Sequence, residues 1–202
     1  MGKAGRNFVQ RGPAPAGTDV VVDPAGLHHI KPPGGPSGAG GAAGSIYRWA
    51  GIAGEARFRK EVIEQVADTA AASTVQDYGE GRRVIHVVGP RLQGKRYAGE
   101  QGRATAVASL AVAYGNVLSR FAKSDLLALR LLPISGGIFA GRFIKEMPEI
   151  TWEALGSGFA RLSEGEQKAV LSRECHMCIF DEEDVAAFEA ALVEAREGRG
   201  TE

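Results

Sequence analysis

Residues 34–51 read GGPSGAGGAAGSIYRWAG, a glycine-rich run that leads into a segment of helix-forming residues. Glycine allows positive φ angles and leaves backbone N–H groups open to a ligand. Residues 45–50 read as the first turn of a helix, whose unpaired N–H groups and positive dipole end favour an anion. The run therefore predicts a phosphate site. A flexible glycine linker is the alternative, and the composition of the run alone fits both.

A second glycine loop, PISGGIFAG at residues 133–141, favours the phosphate site. It follows the apolar run 126–132, which predicts a strand. Two such loops can hold a diphosphate between them, because each presents several backbone N–H groups to the same ligand.

The order of apolar segments predicts alternating strands and helices. Near-continuous apolar runs at residues 19–23, 83–88, 126–132 and 174–180 predict strands, the first of them ended by Pro24. Helical spacing predicts helices near residues 58–72, 107–121 and 144–162, and a last one capped by Asp181. Residues 25–44 lack periodicity and are predicted as a long loop. We therefore expect an α/β fold, with helices on both faces of a mainly parallel sheet.

Length and composition indicate one domain. The chain has 202 residues, of which 44% are hydrophobic, enough for a sizeable core. We expect an irregular segment over residues 1–18, a single domain over residues 19–197 and a short tail over residues 198–202. The N-terminus lacks the apolar core of a secretory signal, and we expect an intracellular, monomeric protein that does not engage a membrane.

Charge gives weak evidence for a nucleic-acid partner. Lys plus Arg and Asp plus Glu each number 24, so the whole chain has no net attraction to polyanions. Within it lies a basic stretch, which is either a solvated face or a rim that attracts a polyphosphate. The stretch comprises Arg82, Arg83, Arg91, Lys95, Arg96 and Arg103.

Cys175 and Cys178 have C-x-x-C spacing inside a predicted strand. The pair is half of a zinc motif without a second half, and a redox motif would open a helix instead. We expect two buried, reduced thiols and no metal site.

Three segments, taken together, resemble a macro domain, the ADP-ribose-binding module with a three-layer α/β/α sandwich. Residues 40–51, GGAAGSIYRWAG, are similar to the family's first phosphate loop and helix. Residues 84–90, VIHVVGP, resemble its V-I-H-x-V-G-P strand, in which we expect His86 to be a core histidine. Residues 133–141 are similar to its second loop. The resemblance covers nearly the whole chain beyond the N-terminal segment and implies a mixed, mainly parallel central sheet.

The resemblance also implies a ligand site, without a cofactor. The two glycine loops would hold the phosphates, Phe139 would pack on the distal ribose, and Phe180 would stack on adenine in a pocket that begins near Ala25. The ligand-binding residues implied are Ala25, Gly26, Gly40, Gly41, Ala42, Ala43, Gly44, Ser135, Gly136, Gly137, Ile138, Phe139 and Phe180.

Two departures from the family's pattern predict weak catalysis. Hydrolytic members have an Asn where this chain has Gly26, and many have an Asp at the position of Ala43. We therefore expect binding of ADP-ribose or a related nucleotide diphosphate. The alternatives are an ADP-ribosyl hydrolase acting on protein-linked ADP-ribose or its esters, and a degenerate macro scaffold that binds RNA or a protein. A hydrolase would need a group that orients water. The candidates are Asp23, His28, His29 and Lys31.

Overall fold

The computed structural model describes the backbone of Gly2–Lys3 and all of residues 15–179 and 181–197. Six strands form one sheet in the order β1-β6-β5-β2-β4-β3. Their bounds are β1 Gly2–Lys3, β2 Asp19–Ala25, β3 Gln76–Asp77, β4 Arg83–Val88, β5 Ala128–Leu131 and β6 Glu174–Ile179. Neighbouring strands are parallel except β3, which pairs antiparallel with β4. The predicted mixed, mainly parallel sheet is confirmed.

The helices connect the strands in chain order. The described residues form α1 Leu27–Ile30, α2 Gly41–Ala50, α3 Lys60–Gln65, α4 Gly102–Ala122, α5 Met147–Phe159, α6 Glu164–Leu171 and α7 Glu182–Glu197. Two 3-10 segments, Lys95–Tyr97 and Ile138–Glu146, lie in the connections before α4 and α5. No helix among the described residues has the length and apolar character of a membrane span.

Both faces of the sheet are covered, which gives three layers. Along β2, Val20 and Val22 belong to one buried cluster with residues of α4, α5 and α7, whereas Val21 belongs to a second with residues of α2 and α3. Successive strand residues point to opposite faces. A strand that is buried on both sides is apolar along its whole length, and this explains the unbroken valine run in β2.

Several predicted boundaries are wrong. Helix α2 begins at Gly41, inside the glycine run, and not at residue 45. The helix predicted over residues 58–72 is only Lys60–Gln65, because the chain after it pairs with β4, where Ala70 N donates to Val88 O at 2.7 Å. Residues 25–44 also contain the short helix α1. Helix α6 was not predicted.

Pro24 lies within β2 and does not end it. Strand β5 pairs with β2 only over residues 19–21, so the proline lies where β2 has β4 as its one described neighbour. A missing N–H is tolerated at such a position. Strand β1 was also not expected, since residues 1–18 were predicted to be irregular; residues 4–14 lie outside the described part of the chain.

Candidate functional site

The candidate site lies at the carboxyl ends of β2, β4 and β5. These strands are parallel, and β2 lies between the other two. The chain passes from β2 to β4 on one side and then returns to β5 on the other. Ligands of parallel α/β sheets bind in the crevice at such a switch point, outside the carboxyl ends of the strands.

The first glycine loop forms the N-terminal end of α2. Gly40 is the N-cap residue, Gly41 has a φ of 57°, and the first turn consists of Gly41, Ala42, Ala43 and Gly44. The first intrahelical bond runs from Gly44 N to Gly40 O at 3.0 Å, so the preceding amides lie at the open end of the helix. Gly40 and Gly41 are exposed, and the small residues of this turn leave an anion free access to the helix end.

Helix α2 is fixed to the sheet by a buried polar network. The Tyr47 hydroxyl donates to Asp23 Oδ2 at 2.8 Å, and His86 Nδ1 lies 2.7 Å from the same oxygen. Tyr78 OH lies 2.8 Å from His86 Nε2 on the other side of the ring. Burial, and then the negative charge of Asp23, raise the pKa of Tyr47 far above its usual range. The neutral hydroxyl is therefore a permanent donor to this carboxylate.

The network argues against Asp23 as a residue that orients water, and it confirms that His86 is a core histidine. Asp23 was a candidate for orienting water, but its side chain is fully buried and bonded to Tyr47 and His86. It therefore lies inside the core and does not face the crevice. His86 is a core histidine, as predicted.

The second glycine loop is fixed to the segment after β4. Ser135 has a φ of 62°, and its Oγ donates to Pro90 O at 2.7 Å. Leu92 N donates to Phe139 O at 2.8 Å. A Cβ at Gly89 would lie 2.4 Å from Ser135 Oγ, so the close contact of the two segments requires glycine at position 89. Gly137 and Ile138 are exposed at the tip of the loop.

Both loops are anchored in the same part of the core. Leu132, directly before the second loop, belongs to the buried cluster that Ala42 and Ala43 of the first loop pack against. The first loop comes after β2 and the second after β5, and these two strands are neighbours. Both loops therefore lie toward the carboxyl ends of adjacent parallel strands.

A cleft of about 460 Å³ lies beside α1 and the end of β4, with Phe139 of the second loop on its wall. Its size is in the usual range for small-molecule sites. Three residues from the sequence-based predictions, His28, Lys31 and Phe139, line it together with residues that were not predicted as a site. The other lining residues are Leu27, Thr69, Val88, Gly89 and Arg91. Gly40 to Gly44 and Ser135 to Ile138 are not among its lining residues.

His28 lies directly over Gly26. A Cβ at position 26 would be 2.6 Å from Cε1 of the His28 ring, so the imidazole occupies the space that a side chain at position 26 would take. The rings of His28 and His29 have centroids 4.0 Å apart. Burial, and then the charge of His28, lower the pKa of His29. Of the two histidines, His28 is the one that borders the cleft.

Ion pairs divide the basic stretch. Arg82 pairs with Glu80, Arg83 with Asp77, and Arg103 with both Glu146 and Glu153. Arg91 instead lines the cleft, where its Nε donates to Gln93 Oε1 at 2.7 Å. Half of the basic stretch is thus paired with acidic side chains. Arg91 instead borders the cleft, and the sequence alone did not distinguish it from the other basic residues.

The remaining predicted residues lie as follows. Ala25 is buried at the end of β2. Phe180 lies outside the described residues, so its predicted stacking on adenine stays a prediction. Cys178 is buried but Cys175 is exposed, which corrects the expectation of two buried thiols. Among the described residues, β1 pairs with β6 at Cys178 and Ile179 and not at Cys175. Burial raises the pKa of the Cys178 thiol to about 11.

Comparison with solved structures identifies the fold. No protein-family model and no curated protein matches the sequence. Among solved structures, the Oceanobacillus iheyensis macrodomain with ADP superposes with a TM-score of 0.59 at 19% identity, over 91% of this chain and 87% of that one. The Trypanosoma brucei macrodomain in complex with ADP gives 0.58 at 22% identity, over 94% and 67%. In complex with ADP-ribose the same macrodomain gives 0.56 at 16%, over the same shares.

The chain is an α/β protein with a cleft at the carboxyl ends of its parallel strands. More particularly, it has the macrodomain fold, and the resemblance seen in the three sequence segments is confirmed at the level of the fold.

Proposed function

We propose that this protein binds ADP-ribose or a related nucleotide diphosphate. The observation that carries the proposal is the open N-terminal end of α2, where exposed Gly40 and Gly41 precede the first intrahelical hydrogen bond. Backbone N–H groups and the helix dipole there favour a phosphate without any basic side chain. The O. iheyensis and T. brucei macrodomains, which share the fold, hold ADP or ADP-ribose.

The second loop supports the same ligand. It follows β5, the strand adjacent to β2, and its exposed tip at Gly137 and Ile138 offers further backbone N–H groups. Phe139 lines the neighbouring cleft, where an aromatic face suits a sugar ring. The diphosphate would lie between the two loops, with the distal ribose toward Phe139.

Calorimetry with ADP-ribose tests the proposal. Gly40 has φ −103° and ψ −176°, an extended conformation that other residues adopt, and a Cβ there meets nothing within 4 Å. Gly40→Val should therefore fold normally but place a branched side chain at the open helix end. We expect it to weaken binding by about tenfold or more, the loss of roughly one charge-assisted hydrogen bond.

Gly54→Val is the matched control, because a Cβ at Gly54 also meets nothing within 4 Å and lies outside both loops. It should bind as the wild type does. Absence of heat from folded wild-type protein at millimolar ADP-ribose would reject the proposed function.

Removal of ADP-ribose from ADP-ribosylated protein is a second candidate function. It is favoured by one observation, that His28 and Lys31 line the same cleft as Phe139. We expect this activity to be weak, because glycine at position 26 offers no side chain to orient water. Turnover of an ADP-ribosylated protein should fall when His28 or Lys31 is changed to Ala. Turnover that survives in the double variant would dismiss these roles.

A further inference from the structure

Strand β6 has an open edge over its first half. Residues 174–177 pair with residues 128–131 of β5 on one side. On the other side β1 pairs at Cys178 and Ile179, and no strand among the described residues pairs with residues 174–177 there. Unpaired backbone groups on an edge strand can pair with another extended chain. The first half of β6 is therefore a place where a second molecule can extend the sheet.

Backbone hydrogen bonds show which groups face this edge. Glu174 N donates to Leu127 O, directly before β5, at 3.0 Å. The N–H and C=O groups of successive strand residues point to opposite sides, so those of Cys175 face away from β5 and toward the open edge. Its side chain is exposed as well. Cys175 thus offers one donor and one acceptor to a neighbouring strand.

The residues on either side of Cys175 are one acidic and one basic residue. Glu174 and His176 lie on the same face of the strand because they are two residues apart, and Glu174 Oε2 lies 2.8 Å from His176 Nε2. Both side chains are accessible, that of Glu174 to 74% and that of His176 to 41%. A row of like charges would repel a second copy of the same edge, whereas this alternation attracts one.

We propose that the open edge of β6 binds a second copy of this chain, with the two β6 strands antiparallel and Cys175 on the two-fold axis. In this register Cys175 donates to and accepts from Cys175 of the second copy, and Glu174 faces His176 of the second copy. A two-fold contact needs a surface that is complementary to itself. This register provides it, because each acidic side chain meets a basic one. An unrelated extended segment would gain the backbone hydrogen bonds without this match of charges.

The two kinds of residue pair in an antiparallel ladder suit these residues. Residues that exchange both hydrogen bonds have Cα atoms about 5.5 Å apart, and the pairs next to them about 4.5 Å, with closer side chains. The two Cys175 residues form a pair of the first kind, within the range of about 4.4–6.8 Å that a disulfide can span. Glu174 and His176 form pairs of the second kind, in which opposite charges come closest.

The contact is short and lies away from the candidate ligand site. Because the paired segment is residues 174–176 alone, we expect weak association, with a Kd between about 1 µM and about 1 mM. The protein would then be monomeric when dilute, which is the state expected from the sequence, and dimeric when concentrated. The segment is at the amino end of β6, whereas the candidate site is at the carboxyl ends of the strands. Nucleotide binding should therefore not change on association.

Sedimentation velocity with the full chain, over concentrations that bracket this Kd, tests the pairing of charges. His176→Glu sets two acidic side chains opposite each other and should weaken association about tenfold or more. Exchange of the two residues, by Glu174→His together with His176→Glu, should restore it. Lys145→Glu reverses a charge at an exposed residue outside β6, and it should associate as the wild type does. Circular dichroism confirms that each variant is folded.

Oxidation with diamide tests the register. Diamide is reduced as two thiols join in one disulfide, so it should link Cys175 of two copies and give a dimer on a non-reducing gel. Cys178→Ser should keep the linked dimer because Cys178 is buried, and Cys175→Ser should abolish it. His176→Glu should slow the linkage in proportion to its weaker association.

Three results would overturn this pairing. The first is a wild-type protein that stays monomeric at millimolar concentration. The second is a dimer whose Kd does not change in His176→Glu, because such a dimer uses another surface. The third is a diamide-linked dimer that still forms in Cys175→Ser. Calorimetry with ADP-ribose tests the proposed function separately, so either proposal can fail while the other stands.

Discussion

The carboxylate of Asp23 and the imidazole of His86 lie 2.7 Å apart on the paired strands β2 and β4, and both side chains are fully buried. The two residues are direct register partners. Asp23 Oδ2 also accepts from Tyr47 of α2, while Oδ1 has no hydrogen-bond partner among the described residues. This one carboxylate therefore joins the helix behind the first glycine loop to the centre of the sheet.

Loss of the Tyr47 hydroxyl should destabilise the protein. Tyr47→Phe removes a donor from a buried carboxylate that already has one unpaired oxygen, and a buried polar group left short of partners costs about 1–3 kcal/mol. Tyr78→Phe is the comparison, because Tyr78 is half-buried and water can replace its contact with His86. Urea unfolding at neutral pH should give the larger loss for Tyr47→Phe, and equal losses would contradict the buried network.

The free energy of unfolding should depend on glycine at position 41, at the start of α2, and not on glycine at position 40. Both positions have open space for a Cβ, but Gly41 has a φ of 57° and Gly40 a φ of −103°. A left-handed conformation costs a residue with a Cβ about 1–2 kcal/mol. Guanidinium unfolding should show this loss for Gly41→Ala and almost none for Gly40→Ala. A comparable loss in the two variants would argue against the helix start described here.

Gly89→Ala should displace the second glycine loop. The new Cβ would lie 2.4 Å from Ser135 Oγ and 2.7 Å from Ile134 Cγ2, and Ser135 has little freedom because it is bonded to Pro90. Overpacking of this kind costs about 1–3 kcal/mol. We expect lower stability by thermal unfolding, and weaker ADP-ribose binding by calorimetry. Gly54→Ala controls for the change of residue type. Unchanged ADP-ribose binding in Gly89→Ala would contradict a role of the second glycine loop in ligand binding.

Glu166 should make the free energy of unfolding vary with pH in the acidic range. Its carboxylate accepts from Ser119 Oγ at 2.6 Å and from Ser163 N at 3.0 Å, and these hydrogen bonds, Ser119 first, lower its pKa from 4.5 to about 2. A lowered pKa means that its stabilising effect is complete above about pH 4.5 and is lost as pH falls toward 2.

Thermal unfolding of Glu166→Gln across this range tests the effect. The variant should be less stable than the wild type at neutral pH, and the difference should shrink between pH 4.5 and 2. Glu164→Gln, an exposed change in the same first turn of α6, should show no such trend. A difference that is constant with pH would contradict the role of Glu166.

The sheet and its main helices could be predicted because their signals are local. The strands β2 and β4 are buried along almost their whole length because helices cover both faces, and the stripe of α4 repeats with helical spacing. Helix α6 was missed because Val170 is its one buried residue among those described, although Ser163 and Glu166 form a capping box that the sequence displays.

The candidate site was harder to predict, since it depends on which side chains meet. Asp23 follows three valines at the end of the predicted strand, and only its contacts with β4 and α2 show that it faces the core. Arg91 has the same charge as Arg82, but the ion pair that separates their roles comes from the fold. The glycine run looks like a loop, but α2 begins within it at Gly41, which has a φ of 57°. The intracellular location and monomeric state stay predictions.

The unequal pairing of β2 has a consequence for local opening. Asp19 and Val20 pair with β5 alone, Val21 pairs with both β4 and β5, and Val22 to Ala25 pair with β4 alone among the described residues. Backbone amides toward either end of β2 should therefore exchange with deuterated solvent sooner than those around Val21. A nucleotide seated at the carboxyl end would act as a clamp on that end, and its arrival should be visible as slower deuterium uptake next to Pro24.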